Sequence, residues 1–582
     1  MSSQTKPYPL FNEANQNLLQ DILKNLSSGR NLDATEIYQQ LSVDHDAEKL
    51  AEIQNRYYQK QLDLWISMLG HKPGEASQPV AQPDRNDRRF QSAEWKELPY
   101  FDYLKQYYLL TSQWLMEMVE SAKLDNETKK KLRFFTRQYI DAMSPANFPA
   151  TNPEVLKLAA DSNGETINKG LKNLIEDLEK GHISMTDESA FEVGRNLAVT
   201  RGAVVFENDL IQLIQYSPLT ETVSEYPLLI VPPCINKYYV LDMQPENSFV
   251  RYALEQGNIV FIISWRNIPP ELGHLTWDDY LEQGVIQAIK VSLVTAGVKK
   301  LNTLGFCVGG TQLACALAVL RAKRQNPAAS MTLLATMLDF TDTGEISVYV
   351  DSAYVQKLES EIGTGGLVPG RDLALTFASL RANELVWFYV VNNYLKGKTP
   401  YAFDLLYWNC DSANLPGPMY VYYVKNMYLE NNLKTPGKLI MCDVPIDLEK
   451  INRPTYVLAA KEDHIVPWKS SYANVPLLKG KIEFVLTASG HIAGVVNPPA
   501  KSKRSFWSGG SIGQDPEQWL ASAQSSPGSW WPHWSAWLKQ KSNKQVPAPA
   551  KLGSIKYPEI EAAPGRYVKE HCEKSDSKQQ AA

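Results

Sequence analysis

Residues 301–311 read LNTLGFCVGGT, and at their centre Gly305-Phe-Cys307-Val-Gly309 has the spacing of a nucleophile elbow, with sulfur where many hydrolases carry a serine oxygen. Such an elbow is a tight strand-to-helix turn that pushes one side chain out at the edge of a sheet. Its flanking glycines permit the close backbone approach that the turn needs. The pattern predicts a strand over 301–304, the turn over 305–309 and a helix from Gly310 through Ala318. Cys307 then sits at a helix N-terminus, where the partial positive charge favours a thiolate. A small apolar cysteine buried in a strand–helix turn is the bland reading; the strand, turn and helix in sequence favour the nucleophile.

A nucleophile of this kind needs a base, and the base needs an orienting acid. The chain order expected for an elbow nucleophile is nucleophile, acid, histidine. Of the eight histidines only His464 and His491 follow Cys307 at strand ends. Residues 455–467, TYVLAAKEDHIVP, form a strand running into a loop that holds Asp463, and residues 482–491, IEFVLTASGH, form a strand ending at His491. Asp463 and His491 are therefore the expected partners of Cys307, with His464 lining the pocket beside them. The oxyanion of acyl transfer needs two backbone N–H donors. Val308 supplies one; the strand and stiff double-proline loop PLLIVPPCIN, residues 227–236, offers Cys234 or Ile235 for the other, and Ile235 is preferred.

The elements that must hold these groups have the rhythm of an α/β domain. Residues 203–207 and 210–216 read as a strand hairpin. Apolar runs follow at 227–232, 258–264, 301–304 and 331–336, with helical segments at 279–296 and 310–324 between them. That alternation implies right-handed crossovers and a mainly parallel sheet. It stops near Phe340 and resumes at 455, so residues 341–447 are expected to be an inserted cap over the carboxyl ends of the strands, where open sheets hold their sites. Residues 1–185 read as a mostly helical domain, with Tyr57, Leu62, Trp65 and Leu69, and then Tyr107, Leu110, Trp114 and Met118, at helical spacing. A polar loop with three prolines, residues 70–89, interrupts it. The catalytic domain is expected over 186–545, closed by a last helix at the Trp-rich 529–537 and followed by an extended tail, 546–582.

Composition excludes several classes. With 59 basic and 64 acidic residues the net charge of −5 argues against nucleic acid as the main partner. The start has no basic segment followed by an apolar run, and no apolar stretch has the length of a membrane span, so neither a secretory signal nor a transmembrane segment is expected. The six cysteines have no metal-type spacing, and neither a metal site nor a disulfide framework is expected. A reducing cytoplasm fits.

Taken together these motifs resemble the class I polyhydroxyalkanoate synthases. The resemblance rests on the elbow GFCVGG around Cys307, on PPCINKYYVLD from Pro232 to Asp242, and on FDLLYWNCDSANLPGP from Phe403 to Pro418. It rests also on EDHIVPW around Asp463, on SGHIAG around His491, on FFTRQYIDAMS from Phe134, and on APGRYV from Ala563. It implies an α/β-hydrolase fold and polymerisation of (R)-3-hydroxyacyl-CoA, chiefly (R)-3-hydroxybutyryl-CoA, into polyester with release of CoA and no cofactor. It further implies a homodimer at the surface of cytoplasmic granules, beside granule-associated proteins (phasins). Asp242, Trp408, Asp411 and Asn414 then count as pocket or supporting residues; ordering the loops that open for substrate and plain internal hydrogen bonding stand equally open for the last three. Two rival functions share the sequence features. A cysteine-dependent acyl-CoA thioesterase would use the same triad, and a non-catalytic granule-coating protein would have no chemical need for it.

Overall fold

The computed structural model describes residues 46–69, 79–542 and 544–572. The expectations for residues 1–45, for part of the 70–89 loop and for the end of the tail lie outside the described residues. The chain packs as two compact units, residues 1–186 with 375–401, and residues 187–374 with 402–582.

The first unit is built of helices: α1 (Ala47–Leu69), α2 (Pro99–Ser121), α3 (Asn126–Ala142), α4 (Pro153–Asp161) and α5 (Glu165–Lys180). Asp125 and Asn152 cap α3 and α4 by accepting from backbone N–H groups of the first turn, which would otherwise lack partners. Leu110, Trp114 and Met118 of α2 bury one apolar stripe, with Tyr57 of α1 stacked on Trp114 at 4.9 Å between ring centroids. The other spaced residues of α1, Leu62, Trp65 and Leu69, face outward instead, and Ile53 and Leu64 take the buried positions. Residues 375–401, inside the stretch expected to be cap, are tied to these helices. Asn383 donates to Asp141, Tyr394 donates to Asp177 at 2.7 Å, Asn393 donates to the Ser184 carbonyl, and Lys396 pairs with Glu154.

The second unit is organised by one eleven-stranded sheet. In chain order its strands are β1 (Gly202–Glu207), β2 (Ile211–Tyr216), β3 (Leu228–Val231), β4 (Val260–Trp265), β5 (Leu301–Phe306), β6 (Ala328–Leu334), β7 (Thr455–Ala460), β8 (Ile482–Thr487), β9 (Ser505–Ser508), β10 (Gln524–Pro527) and β11 (Glu561–Ala562). Across the sheet they lie in the order β10-β9-β8-β7-β6-β5-β3-β4-β2-β1-β11. The six from β3 to β8 are mutually parallel, and the others add antiparallel edges. This is the α/β-hydrolase architecture. The central strands are buried on both faces, which is why they read as continuous apolar runs rather than alternating ones. Register places Leu304 of β5 between Ile230 of β3 and Thr332 of β6, so the strand that feeds the elbow lies at the middle of the sheet.

Two helices matter most for the site: α6 (Val308–Ala322), which leaves the elbow, and α7 (Trp531–Lys539) from the Trp-rich segment. Trp530, Trp531 and Trp534 are fully enclosed against Phe249 in the core that also contains Leu304 and Phe306. The described part of the tail, residues 546–572, is tied to the sheet. Ala562 pairs with Ala203 of β1, and Tyr567 and Val568 are buried.

Trp534 fills core volume and donates its indole N–H to Thr332 on β6 at 3.1 Å. Trp534→Ala is expected to destabilise the second unit by about 3–5 kcal/mol, the range for emptying a buried aromatic site. A fall in the denaturant midpoint measures it, and the fully exposed Ile555, changed to Ala, serves as a control expected to stay within about 0.5 kcal/mol.

Candidate active site

The elbow is built from backbone contacts that only small residues allow. Cys307 has φ 53° and ψ −129°, a left-handed conformation that a non-glycine residue adopts at a cost of roughly 1–3 kcal/mol. Its N–H donates to the Leu334 carbonyl at 2.9 Å and its carbonyl accepts from Gly310 at 2.9 Å, so neighbouring strand and helix together over-determine the strained residue. A Cβ on Gly305 would lie 2.4 Å from the Gly310 Cα, and one on Gly309 would lie 2.3 Å from the Val231 carbonyl oxygen. Both glycines of the motif are therefore required by close approach, the second of them by the strand next to the elbow. Cys307 itself is half-buried at the end of the core.

Asp463 follows β7 and His491 follows β8, both at the carboxyl ends of parallel neighbours. The Asp463 carboxylate accepts from the backbone N–H groups of Ile465 and Val466 at 2.9 and 2.8 Å through one oxygen. The other oxygen meets His491 Nδ1 at 2.6 Å, with both side chains almost wholly enclosed. His491 begins a short helix, His491–Val495, and its ring stacks on Phe306, the residue before the elbow cysteine, at 5.4 Å. Burial opposes the charged imidazole. The Asp463 carboxylate and the Cys307 sulfur outweigh it, through both charge and hydrogen bonding, and hold the ring up at about 10. One acid and one imidazole thus form a hydrogen-bonded pair at the edge of the sheet, with one thiol in electrostatic reach of the ring.

The remaining expected residues divide. Val308 is the first residue of α6, and Ile235 lies four residues beyond β3, whose last residue pairs with Gly305. The Ile235 carbonyl accepts from Ala413 at 2.9 Å, so the loop after β3 is joined to the cap. His464 is half-buried next to Asp463. Asp242 is fully enclosed and accepts from Thr200, Ser248 and Tyr216, which gives it a supporting place under the loop after β3 rather than one on a pocket wall. Burial, the dominant influence, raises its carboxyl to about 6 against those three hydroxyl donors. Trp408 donates its indole N–H to the Lys237 carbonyl at 2.7 Å, Asp411 accepts from Tyr239 at 2.9 Å, and Asn414 accepts from the Gly370 N–H at 3.0 Å. All three therefore make internal hydrogen bonds.

Sequence reasoning missed the aromatic roof. Tyr423 and Tyr428 pack edge-on at 5.3 Å between ring centroids and lie within electrostatic reach of Cys307; Tyr423 is also within reach of Cys234. Tyr423 stacks on Trp277 at 5.3 Å, and Phe340 packs edge-on against Tyr428 at 5.1 Å. The two tyrosines are five residues apart, a spacing that neither an α-helix nor a strand places on one face. Residues Val424–Leu429 are a π-helix, whose i→i+5 geometry does. A run of tyrosines at that spacing was the available signal.

Comparison with known proteins places this geometry. Residues 86–253 match the family described as Poly-beta-hydroxybutyrate polymerase (PhaC) N-terminus, and residues 227–498 match the alpha/beta hydrolase fold. The chain is 53% identical to the poly(3-hydroxyalkanoate) polymerase subunit PhaC of Cupriavidus necator, over 90% of this chain and 88% of that one. It is 41% identical to the corresponding subunit of Rhizobium meliloti, over 90% and 86%. Against poly(3-hydroxyalkanoate) polymerase 1 of Ectopseudomonas oleovorans the identity is 38%, over 84% and 87%. Among solved structures a Paleococcus ferrophilus monoacylglycerol lipase is similar at 15% identity and a TM-score of 0.34, over 57% of this chain and 99% of that one. With an elbow cysteine, a buried acid–imidazole pair and relatives of this identity along nine-tenths of its length, the chain belongs to the poly(3-hydroxyalkanoate) polymerases, the class I acyltransferases that polymerise hydroxyacyl-CoA.

Proposed function

We propose that this polymerase grows its chain through a thioester on Cys307, with (R)-3-hydroxybutyryl-CoA as its chief monomer. The observation that carries the reading is the 2.6 Å contact of Asp463 with a buried His491 whose ring is also coupled to the strained Cys307. Transfer of an acyl group from the CoA sulfur to the Cys307 sulfur exchanges one thioester for another at nearly even energy. The held thioester stays activated and then acylates a secondary hydroxyl, giving the more stable oxygen ester. A serine at the elbow would drop the acyl group to ester level at once and lose that driving force.

The roles of the other groups follow from charge. At rest the raised imidazole carries a proton that it can give to the departing CoA sulfur. Once Cys307 is acylated, one of the influences that held the ring up is gone, and the imidazole is freer to take the proton of the attacking 3-hydroxyl. Asp463 keeps the ring oriented and favours its charged form. The N–H groups of Val308 and Ile235 receive the oxyanion. The roof of Trp277, Phe340, Tyr423 and Tyr428 supports the reading by keeping water, the competing acceptor, from the thioester. His464, next to Asp463, lines the pocket.

The place of work is a homodimer at the surface of cytoplasmic polyester granules, beside phasins. Among the described residues no helix is long and apolar enough to cross a membrane. Ile167, Leu171 and Leu178 on one side of α5 are exposed and give an apolar surface for such contacts.

Three experiments test the chemistry. Incubation with 3-hydroxybutyryl-CoA is expected to release CoA and produce turbidity from insoluble polymer; CoA release with free hydroxy acid and no polymer would point to a hydrolase. Cys307→Ala should abolish CoA release without unfolding the protein, and appreciable turnover by that variant would remove Cys307 as the nucleophile. Asp463→Asn should still acylate Cys307 once, giving a burst of CoA and then slow elongation, because a secondary alcohol is far harder to deprotonate than a thiol at a helix N-terminus. Single-turnover kinetics with mass detection of the acyl-enzyme reads this; loss of the burst together with the steady rate would show that Asp463 is needed from the first step.

A further inference from the structure

Three segments far apart in sequence meet beside the loop that carries Ile235. The first is that loop itself, residues 235–239. The second is the cap stretch 408–414. The third is the C-terminal stretch 570–572. Asn236 pairs with Ser412 as an isolated antiparallel bridge, Ala413 donates to the Ile235 carbonyl, and Trp408 donates to the Lys237 carbonyl. Tyr239 donates to Asp411 at 2.9 Å. The C-terminal segment closes the knot from the other side. Lys237 donates its ammonium to the Glu570 carbonyl, Cys572 donates to the Ser412 carbonyl at 3.0 Å, and His571 Nδ1 lies 3.4 Å from Asp411. Asn267, at the end of β4, accepts from the Asn414 N–H and donates to the His571 carbonyl.

Lys237 is 2% exposed, an unusual place for a lysine. Burial presses its ammonium toward the neutral form, and Asp411 is the first of the charges that oppose this. A buried cation is tolerated only where it is paired and hydrogen-bonded. Here its ammonium is bound by the Glu570 carbonyl of the C-terminal segment and its backbone carbonyl by Trp408 of the cap, so Lys237 is tied to both segments. Lys237 lies two residues from Ile235, on the same short loop. Its setting therefore decides where the Ile235 peptide points, and an oxyanion donor displaced by even a fraction of an ångström loses its value.

We infer that Lys237, held by Trp408 of the cap and by Glu570 of the C-terminal segment, is a positioning residue that sets the oxyanion donor at Ile235. The inference rests on the reading of Cys307 and Ile235 given above. It assigns to the C-terminal segment a part in the acylation step, although that segment is separated from Cys307 by more than 250 residues of chain.

The test separates steps that need an oxyanion hole from one that does not. Acylation of Cys307 by 3-hydroxybutyryl-CoA passes through a tetrahedral oxyanion, whereas alkylation of the same sulfur by iodoacetamide is a direct displacement without one. Lys237→Met in the full chain is expected to lower the single-turnover acylation rate roughly 10- to 100-fold, somewhat less than outright loss of a donor. The alkylation rate of Cys307 should stay within about threefold, and KM should move much less than kcat. If Lys237→Met does not fold, the double variant His571→Ala with Cys572→Ala, at an exposed and a half-buried position, is expected to lower acylation in the same selective way. An unchanged acylation rate in a folded variant would overturn the inference and leave the triad standing. Equal loss of acylation and alkylation would also overturn it, since the whole site would then be disturbed. Absence of any acyl group on Cys307 in the unaltered enzyme would instead refute the thioester reading on which the inference rests.

Discussion

The hydrogen bond between a buried imidazole and a buried carboxylate, with the sulfur of a strained cysteine in electrostatic reach, is the interaction on which the rest of the site depends. His491 lies in a place from which water is almost excluded, and an uncompensated imidazolium there would be costly. The Asp463 carboxylate, itself fixed by two backbone N–H groups, supplies part of the compensation, and Cys307 supplies another part. For the sulfur to reach the ring, Cys307 must hold a positive φ. It holds it because β6 on one side and the first turn of α6 on the other leave the backbone no alternative. Gly305 and Gly309 are the condition for that crowding. The parallel order of β3, β5, β6, β7 and β8 then delivers donor loop, nucleophile, acid and base to one edge of the sheet.

A polymerase that holds a thioester has a different difficulty from a hydrolase: the activated acyl group must meet a hydroxyl and not water. In the reaction proposed above, the aromatic roof answers it with surface that excludes water and with two phenol rings packed edge-on near the sulfur. In the same proposed reaction, the loop after β3 answers the companion problem of holding an oxyanion donor still, since it is knotted to the cap and to the C-terminal segment. Trp408 and Asp411 hydrogen-bond to this loop, and Asp242 accepts from a network of hydroxyls beneath it.

Much of this was legible in the sequence for a physical reason. Strands buried on both faces print as short apolar runs, and an elbow prints as glycines at fixed spacing, so the central sheet and the Cys307, Asp463 and His491 positions could be read directly. The edge strands could not. Gln524–Pro527 is polar and Glu561–Ala562 is two residues long, and both are specified by a neighbour rather than by their own pattern. The membership of residues 375–401 in the helical unit was hidden because Tyr394 and Lys396 find their partners more than two hundred residues upstream. Tyr423 and Tyr428 escaped notice because a five-residue spacing has meaning only once a π-helix is present.

The claim on which the rest turns is that the His491 imidazole is held in its charged form in part by the Cys307 sulfur. Carbon-13 shifts of ring-labelled histidine, followed against pH, report the charge of His491 directly, with the signal identified by its loss in His491→Gln. The titration is expected well above the ordinary imidazole range in the free enzyme, and it should move clearly downward when Cys307 is capped with a neutral methylthio group. A titration near the ordinary value in the free enzyme, or one that does not move on capping, would contradict the coupling of sulfur and imidazole.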